Sequence, residues 1–506
     1  MSQQLLNFQY EQEKKERSLT SFAGIGPYFD LFKILKLSSL LNKKIGVSQG
    51  EQGYRDSEIG ISLILINLVG GDCVEDVERL EADEGLKKFF QKLTGEGFRY
   101  KSRFRRGTHR GFPSQSAIFR YLEQFDNGSD GKKGKAVIPD SIDKHKVFLS
   151  FNKTLAEILY RYMGTPVATL DQDATLIETA KKEALHSYKG FKAYQPLNTF
   201  WSELGLVLHT EFRPGNVPAD FELQRSLKEA MGALPAQVSV VRYRADGASY
   251  NHDLLKYLDE EPKKGSDEVK KRFGRVIFCV SAPITDAFKR AVLTEKGLEW
   301  KPLDLDRFGN AEEKGREWAE VCYVPNKICT SKKGREYRYF VTRQRLQERT
   351  LPGMDASQVL PFPVMEMNRT QYKVFSVVTN SEKDGAELIR WHDQRCGRSE
   401  EVHAILKNDL AGGCMPSRKF GANAAWWWFS ILTHNLQTLF KRVSLGKDWW
   451  HRRMKAIRLY LINLPGRTVL KKNVLTLKLA VDGEKLAWIN SIRDKIAEFA
   501  RGPCLA

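Results

Sequence analysis

The chain has 506 residues, which is too long for one ordinary core. Of these residues, 42% are hydrophobic and 28% are charged, a composition that excludes a disordered chain. The formal net charge of +19 favours a polyanionic partner such as DNA. The seven cysteines are scattered, odd in number and without CxxC pairing. This argues against a disulfide framework and a zinc site, and it is typical of a reducing compartment.

Several other classes of protein are disfavoured by missing patterns. The N-terminal segment lacks the apolar stretch of a signal peptide, and the longest apolar run, Ile59 to Val69, is far shorter than the ~20 residues of a membrane span. No GxxxxGK[ST] motif is present, and the histidines show no HExxH spacing. We therefore expect a soluble cytoplasmic protein with no membrane partner and no nucleotide cofactor.

The predicted elements begin with a helical, basic region over residues 1–150. Its most basic segment, FRYKSRFRRGTHRGF, leads into a helix that opens after Pro113. Arginine side chains and helix N-terminal amides both favour phosphate, so this loop predicts DNA contacts through Arg103, Arg105 and Arg106. A basic loop that is merely solvated is the alternative.

Strand and helix patterns alternate after a linker-like segment at 126–137. Residues 151–294 predict an α/β sheet layered with helices, the first part of a core. Residues 295–380 break that rhythm with β-like runs such as YRYFVTRQ and predict a β-rich insertion. Helices resume over 381–445, the second part of the core, and 446–506 predict a basic C-terminal region with a helix and short strands.

Three carboxylates stand at the ends of these predicted elements. Asp173 in LDQDAT and Asp246 in VVRYRAD end strand-like runs, and Glu400 in GRSEEVHAILK opens a helix. Carboxylates brought together repel one another and need cations. Mg²⁺ takes one or two of them with waters and phosphate oxygens, and two such ions can promote displacement at phosphorus. The pattern predicts a two-metal site for DNA cleavage and joining, with Asp171, on the same strand face, as an alternative to Asp173.

Basic and aromatic residues follow Glu400. Lys407 is seven residues on, about two helical turns, so it would share a helix face with Glu400 and could bind phosphate. Arg418 and Lys419 lie before the next helix and are further candidate DNA contacts. The three tryptophans of AAWWWFSIL favour core packing, with stacking on an extruded DNA base as the alternative.

These segments resemble the DDE transposases of bacterial insertion sequences, the insertion-sequence-1380 family in particular. The similarity includes LDQDAT followed by YKGFKAYQPL, the RADGAS segment, and the long segment RCGRSEEVHAILKNDLAGGCMPSRKFGANAAWWWFSILTHNL. It runs from about residue 20 to beyond 450. The resemblance implies an α/β fold with a ribonuclease-H-like catalytic core, a β-rich insertion before the catalytic Glu, and an N-terminal helical DNA-binding region.

One family signature is displaced in this chain. Related transposases carry Tyr-x2-Arg-x3-Glu-x6-Lys; counted back from Glu400, the Arg position is Cys396 and the Tyr position is Asp393. The arginine is displaced to Arg395, and Trp391 is the available aromatic residue. The register is therefore open by one residue, and Glu401 is an alternative to Glu400.

The resemblance and the residues together predict a transposase that binds the terminal inverted repeats of its element. It would hydrolyse the strand and join the 3′-OH to target DNA, with Asp173, Asp246 and Glu400 holding two Mg²⁺ ions, which Mn²⁺ would replace. Arg395 and Lys407 would contact phosphates. We expect a homodimer in the DNA complex and a cytoplasmic, nucleoid-associated bacterial protein. The alternatives are an inactive, domesticated DNA-binding protein and a nuclease that cuts without joining.

Overall fold

The computed structural model describes most of the chain, and it forms two compact units. Residues Met1–Gly128 and Lys407–Ala506 make up one unit, and Ser129–Leu406 make up the other. We call them the helical unit and the sheet unit. The described residues are 18–48, 53–94, 110–128, 131–139, 142–306, 312, 315–325, 337–346, 360–471 and 474–505.

The α-helices follow the predicted pattern of a helical first part and helices distributed between strands later. In chain order they are α1 (Gly26–Ile34), α2 (Leu37–Lys44), α3 (Asp56–Val69), α4 (Val77–Ala82), α5 (Glu84–Thr94), α6 (Gln115–Glu123), α7 (Ile142–Met163), α8 (Leu223–Gly232), α9 (His252–Asp259), α10 (Glu268–Phe273), α11 (Asp286–Thr294), α12 (Gly385–Asp393), α13 (Arg398–Ala404), α14 (Phe420–Phe440), α15 (Met454–Ile457) and α16 (Gly483–Arg501).

The strands concentrate between residues 167 and 379. In chain order they are β1 (Leu19–Thr20), β2 (Val167–Ala174), β3 (Ile177–Glu178), β4 (Leu185–His186), β5 (Lys192–Tyr194), β6 (Leu197–Trp201), β7 (Leu206–Glu211), β8 (Val240–Ala245), β9 (Ile277–Ser281), β10 (Lys301–Pro302), β11 (Glu317–Val321), β12 (Arg338–Arg345), β13 (Val364–Met367), β14 (Thr370–Thr379), β15 (Gly466–Lys471) and β16 (Val474–Leu479).

The helical unit is built around α14, in which every residue is buried. A helix that is buried on every side must be enclosed by other elements, and α3 and α6 pack against it. Trp426, Trp427 and Trp428 are at most 3% exposed, and the Trp426 indole N–H donates to the Ala411 carbonyl at 2.9 Å. The tryptophans are therefore core residues, as the first interpretation predicted, and the alternative of base stacking does not fit their burial.

A small sheet and a long C-terminal helix complete the helical unit. The sheet has the order β1-β15-β16, so an N-terminal strand pairs with strands near the C-terminus. The strands after residue 466 agree with the short strands predicted there. Helix α16 was not predicted; the Asp482 side chain caps it by accepting from the Lys485 N–H at 2.7 Å.

The sheet unit contains a large mixed sheet with the order β10-β11-β12-β14-β9-β8-β2-β6-β7. Strand β2 is parallel to β8, and β8 is parallel to β9, whereas β6 and β7 join by antiparallel pairing. The central strands are rich in β-branched and aromatic residues and are mostly buried, as expected of strands covered on both faces. This order confirms the mixed α/β prediction and is consistent with a ribonuclease-H-like core.

The segment predicted as a β-rich insertion, 295–380, contains strands β10 to β14. Strand β14 pairs antiparallel with β9 through Val377–Thr379, so these strands extend the large sheet instead of standing apart from it. The predicted domain boundaries at 150, 294, 380 and 445 follow local sequence patterns. They stay a prediction, because compactness divides the chain at other positions.

Within the described residues, no single helix is both long and apolar enough to cross a membrane. One pair, Asp56–Val69 with Val74–Ala82, passes this test only when taken together, and it is bent by 95°.

A buried ion pair joins the two parallel strands at the centre of the sheet. Asp171 on β2 lies opposite Arg244 on β8, and the guanidinium donates to both carboxylate oxygens at 2.7 and 2.8 Å. Both side chains are at most 1% exposed. Arg244 also donates to the Ser202 hydroxyl at 3.1 Å and to the Trp391 carbonyl, so it links three segments of the sheet unit.

Replacing Asp171 by Ala should strongly destabilise the sheet unit, because it leaves the Arg244 charge buried and unpaired. Breaking a buried pair costs about 3–5 kcal/mol, which corresponds to a melting temperature lower by about 5–15 °C. Thermal melting followed by circular dichroism measures this shift. The matched control is Glu268→Ala, which removes an exposed pair with Lys271 and should leave the melting temperature unchanged. Equal shifts for the two variants would contradict a structural role for the buried pair.

Candidate active site

Two of the predicted carboxylates lie side by side at one edge of the large sheet. Asp173 is the penultimate residue of β2, and Asp246 directly follows β8. The parallel register pairs Gln172 with Ala245, so the chain delivers both aspartates to adjacent strand ends. Ligand sites of open α/β sheets gather at the carboxyl ends of strands. The local sequences LDQDA and VVRYRAD therefore build a site because their strands are parallel neighbours.

A cavity of about 590 Å³ opens at this edge. Both Asp173 and Asp246 line it. The small sheet β3-β5-β4 contributes His186 through the end of β4, and Tyr188 from the following turn also lines the cavity. A volume of this size lies within the range of small-ligand sites. The two carboxylates thus face a space that can hold part of a substrate.

The ionised form of Asp173 is destabilised by its surroundings. Burial, the neighbouring Asp246 carboxylate and, to a smaller extent, Glu400 together raise the pKa of Asp173 from 3.8 to about 7, against the opposing effect of the Arg395 guanidinium. Repulsion between like charges in a partly desolvated site is the physical cause. The ionised form would be stabilised by any cation that enters the cavity.

Two basic side chains approach Asp173 from the helical segment after residue 390. Arg395 Nη1 lies 3.7 Å and His403 Nδ1 lies 3.9 Å from the same oxygen, Oδ2. Both residues are buried, with Arg395 only 8% exposed. The predicted role of Arg395 as a DNA phosphate contact is untested, but its position favours a role beside Asp173. His403 was not predicted, although it follows Glu400 by three residues and therefore shares its helix face.

The two alternatives at this position, Glu400 and Glu401, are neighbours in the first turn of α13. Glu400 is exposed and Glu401 is half-buried. The charge of Glu400 is one of those that raise the pKa of Asp173, which supports Glu400 as the third carboxylate. The choice between the two residues and the catalytic role stay predictions.

The alternative at Asp171 is separated by hydrogen bonding. Both oxygens of Asp171 accept from Arg244, and the side chain is fully buried. Asp173 lines the cavity, whereas Asp171 is not part of its lining. The position of Asp173 is the one suited to a cation.

Asp246 is positioned by its own backbone and by a buried histidine. Its side chain accepts from the Ala248 N–H at 3.1 Å and caps the turn Gly247–Ser249. His392 Nε2 lies 3.1 Å from the carbonyl oxygen of Ala245, the residue before Asp246. Burial lowers the pKa of His392 to about 4, so the ring is neutral and its N–H can donate to that carbonyl. His392 is a second residue that sequence patterns did not reveal.

The remaining predicted DNA contacts within the described residues, Lys407, Arg418 and Lys419, belong to the helical unit. Lys407 stands in a π-helical turn, Ile405–Asp409, so the α-helical spacing assumed between Glu400 and Lys407 does not extend through it. Arg418 and Lys419 are exposed, and Lys419 Nζ donates to Glu123 at 3.0 Å. These positions do not test a DNA role. Arg103, Arg105 and Arg106 lie outside the described residues.

In the part of the chain that the structure describes, no group of three or more His, Cys, Asp or Glu side chains is arranged to hold a metal ion by itself. The donors that line the cavity include the Asp173 and Asp246 carboxylates, which are ligands that Mg²⁺ accepts. Mg²⁺ needs only one or two of them, with the rest of its shell from water and phosphate. The donor chemistry of Asp173 and Asp246 therefore fits such an ion.

The raised pKa of Asp173 predicts a pH-dependent stability. The folded chain holds this proton up to a pH of about 7, the unfolded chain only to 3.8, so stability falls as the pH rises between these values. Asp173→Asn removes the buried charge. It should raise the melting temperature at pH 8 by roughly 5 °C in a buffer without divalent cations, and the gain should shrink toward pH 5.

Asp304 gives a control of opposite sign. Its hydrogen bonds with Arg316 lower the pKa of Asp304, so its contribution to stability is present above the unfolded pKa and lost in acid. Asp304→Asn should therefore lower the melting temperature at pH 8. An Asp173→Asn variant that melts at or below the wild-type temperature at pH 8 would contradict the electrostatic assignment.

Comparisons with known proteins identify the family. A search of curated proteins gave no match. A cryo-EM structure of the piggyBac transposase synaptic complex with hairpin DNA is similar at a TM-score of 0.41 and 9% identity, covering 94% of this chain and 81% of that chain. The family model for transposase DDE domain group 1 matches residues 12–354, which include Asp173 and Asp246 and end before Glu400. Since this match spans more than half of the sequence, the chain belongs to the family of transposases with a DDE domain.

Proposed function

We propose that the protein is an active DNA transposase that cuts DNA at the ends of a mobile element and joins the freed 3′-OH to target DNA. The ends would be terminal inverted repeats, as in the insertion-sequence-1380 family that the sequence resembles. A bacterial, cytoplasmic and nucleoid-associated protein is part of the same proposal. The family membership supports transposase function, and the site geometry supports the chemistry.

The observation that carries the proposal is the pair of carboxylates at adjacent parallel strand ends. Asp173 and Asp246 share one cavity, and their repulsion helps to raise the pKa of Asp173 to about 7. A structure gains nothing in stability from such a pair, so a functional requirement for concentrated negative charge is the physical explanation. Strongly perturbed carboxylates in a cleft are typical of catalytic sites.

Asp173, Asp246 and Glu400 would hold the divalent ions, two Mg²⁺ with Mn²⁺ as a substitute. When bound, such ions supply Lewis-acid stabilisation of phosphate oxygens. The chain's own elements position the three carboxylates: the strand ends fix the two aspartates, and the first turn of α13 presents Glu400. Because carboxylates and divalent ions provide this chemistry, no covalent intermediate with the protein is needed.

Arg395 and His403 act through Asp173 in this proposal. Their nitrogens lie 3.7 and 3.9 Å from Oδ2, too far for strong hydrogen bonds. The Arg395 charge reduces the repulsion among the carboxylates without saturating the oxygen, so Asp173 stays able to accept a stronger partner. We assign both as positioning residues, which leaves Lys407 as the proposed phosphate contact of the signature.

DNA affinity would come from basic residues distributed over the chain, whose net charge is +19. Arg103, Arg105 and Arg106 of the N-terminal region, and Arg418 and Lys419, are the proposed contacts. Transposition also requires two DNA ends to be held together, so we propose a homodimer in the DNA complex.

Asp246→Asn should abolish cleavage while DNA binding persists. The substitution keeps the shape of the side chain and removes the charge that a divalent ion requires, so cleavage in Mg²⁺ should fall at least ~100-fold. Duplexes carrying the element's own ends, incubated with Mg²⁺ and sized on denaturing gels, measure it. Binding in Ca²⁺ should be equal or tighter, because a carboxylate no longer repels phosphate.

The control is Asp253→Asn, which removes an exposed carboxylate from the start of α9 and should cut like the wild type. A variant Asp246→Asn that cuts as well as the wild type would refute the carboxylate mechanism. A wild-type protein that binds its ends but never cuts them in Mg²⁺ or Mn²⁺ would be an inactive binder, and cutting without joining would indicate a nuclease.

Changing Arg103, Arg105 and Arg106 together to Ala should weaken DNA binding and its dependence on salt. Each lost phosphate contact lowers the slope of log affinity against log salt by about 0.9 on duplex DNA. Titrations at several salt concentrations measure the slope. The matched control replaces the exposed Lys132, Lys133 and Lys135, which removes the same net charge and should leave the slope nearly unchanged. Equal effects in both triple variants would mean that only net charge matters.

A further inference from the structure

We propose that Asn198 is a positioning residue for Asp173: its side-chain amide donates a hydrogen bond to the Asp173 carboxylate when that carboxylate holds a divalent ion. The inference rests on the proposed function, because it assigns a residue that supports one of the proposed ion ligands. It comes from the place of Asn198 in the large sheet, from the contact that orients its amide, and from an amide nitrogen that is buried without a partner.

Asn198 lies directly beside Asp173 in the large sheet. Strand β6 pairs antiparallel with β2, and the register places Asn198 opposite Asp173. Side chains of directly opposed residues lie on the same face of a sheet, with their Cβ atoms about 4.5–5.5 Å apart. At this separation the end groups of an asparagine and an aspartate are within reach of one hydrogen bond, which requires only a rotation of the two short side chains.

The next strand of the sheet orients the Asn198 amide. Thr210 on β7 lies opposite Asn198 on the other side of β6, and the Thr210 hydroxyl donates to Asn198 Oδ1 at 2.6 Å. Thr210, Asn198 and Asp173 therefore form a polar row across three strands on one face of the sheet. Because the amide oxygen is held on the β7 side, the amide nitrogen is directed toward the β2 side, where Asp173 lies.

The amide nitrogen of Asn198 is a buried donor. Asn198 is 3% exposed, and its Nδ2 has no hydrogen-bond partner among the residues that the structure describes. Buried polar groups are almost always paired, because a donor removed from water and left without an acceptor costs free energy. An acceptor that becomes available only when Asp173 turns toward an ion explains why this donor is kept.

The Asp173 carboxylate has two cationic neighbours on its other side. Its Oδ2 lies 3.7 Å from Arg395 Nη1 and 3.9 Å from His403 Nδ1. An ion in the cavity would compete with these contacts for the carboxylate, and carboxylates that bind ions are themselves held by hydrogen bonds from neighbouring residues. Asn198 is a neutral donor, so it can fix the orientation of Asp173 without offsetting the negative charge that attracts the ion. A guanidinium at hydrogen-bond distance, as at Asp171, would offset that charge.

Binding of Mn²⁺ to the full-length protein, measured from the electron paramagnetic resonance signal of free Mn²⁺, tests the proposal. Asn198→Ala removes the donor and the volume of the side chain, and Asn198→Leu removes the donor but keeps most of the volume. Both should weaken Mn²⁺ binding about 10- to 100-fold, the range for loss of a residue that supports an ion ligand. Thr210→Val removes the hydroxyl that orients the amide and should weaken binding by a smaller factor.

Thr199→Val is the matched control. Thr199 is the next residue of β6 and is fully buried, but its side chain points to the opposite face of the sheet. This variant also loses one buried hydroxyl from the same region, and it should bind Mn²⁺ like the wild type. Equal losses of affinity in Thr199→Val and Asn198→Leu would overturn the proposal, because the effect would then not depend on the face that carries Asp173.

Thermal melting in EDTA separates positioning from folding. A residue with a purely structural role would lower the melting temperature in EDTA and leave the Mn²⁺ affinity of the folded variants unchanged, and that result would overturn the proposal. Wild-type affinity in Asn198→Leu, with a loss in Asn198→Ala alone, would assign the effect to packing and would also overturn it. If neither Asn198 variant folds, Thr210→Val decides: a reduced affinity supports the proposal, and wild-type affinity overturns it.

Asp246→Asn keeps this inference apart from the proposed function. It removes a proposed ion ligand and should abolish the Mn²⁺ binding that Asn198 supports. Equal Mn²⁺ binding by the wild type and Asp246→Asn would overturn the proposed carboxylate site, and this inference with it. Binding that depends on Asp246 but not on Asn198 would overturn the positioning role alone and leave the carboxylate site standing.

Discussion

Repulsion between two carboxylates at neighbouring strand ends is the constraint on which the rest of the site depends. The parallel register of β2 and β8 holds Asp173 and Asp246 close together, because each directly follows the last paired residues of the two strands, Gln172 and Ala245. The buried Asp171–Arg244 contact, two residues earlier on each strand, stabilises this register. One aspartate of the DQD sequence therefore stabilises the sheet, and the other, two residues later, is held in a conformation that costs stability.

Positive charge near this site is limited in strength, and the limit has a consequence. Arg395 and His403 approach Asp173 at 3.7 and 3.9 Å, and the Arg395 charge offsets part of the repulsion. A closer, bidentate arginine would have neutralised Asp173, as Arg244 does for Asp171. The Arg244–Asp171 contact is therefore a structural ion pair, whereas the longer Arg395–Asp173 contact leaves Asp173 able to bind a cation. Arg395 stands one residue before the arginine position of the family signature, and its side chain still lies beside Asp173.

Local sequence patterns predicted the elements of the site but not their pairing. Runs such as VATL and VVRY are rich in β-branched residues and are followed by aspartate, which suffices to predict two strands with carboxylates at their ends. Side-chain alternation places Asp171 and Asp173 on one face, so the sequence alone could not choose between them. The choice depends on Arg244, which lies 73 residues beyond Asp171. Long-range pairing also explains why β14 extends the sheet beyond β9, which no local pattern reveals. The spacing between Glu400 and Lys407 predicts a continuous α-helix. The π-helical turn at Ile405–Asp409 changes the helical period there, and no pattern in the sequence marks this change.

The net positive charge of the chain and the carboxylates of the cavity have opposite effects on a phosphate backbone. The net charge of +19 attracts a phosphate backbone, whereas the cavity proposed as the cleavage site is lined by the carboxylates of Asp173 and Asp246. Close approach of phosphate to Asp173 and Asp246 is unfavourable until cations are present, so affinity must be supplied by residues away from the carboxylates. In the proposed function, such a distribution would allow DNA to bind before reaction, because a divalent ion would remove the local repulsion between phosphate and the carboxylates.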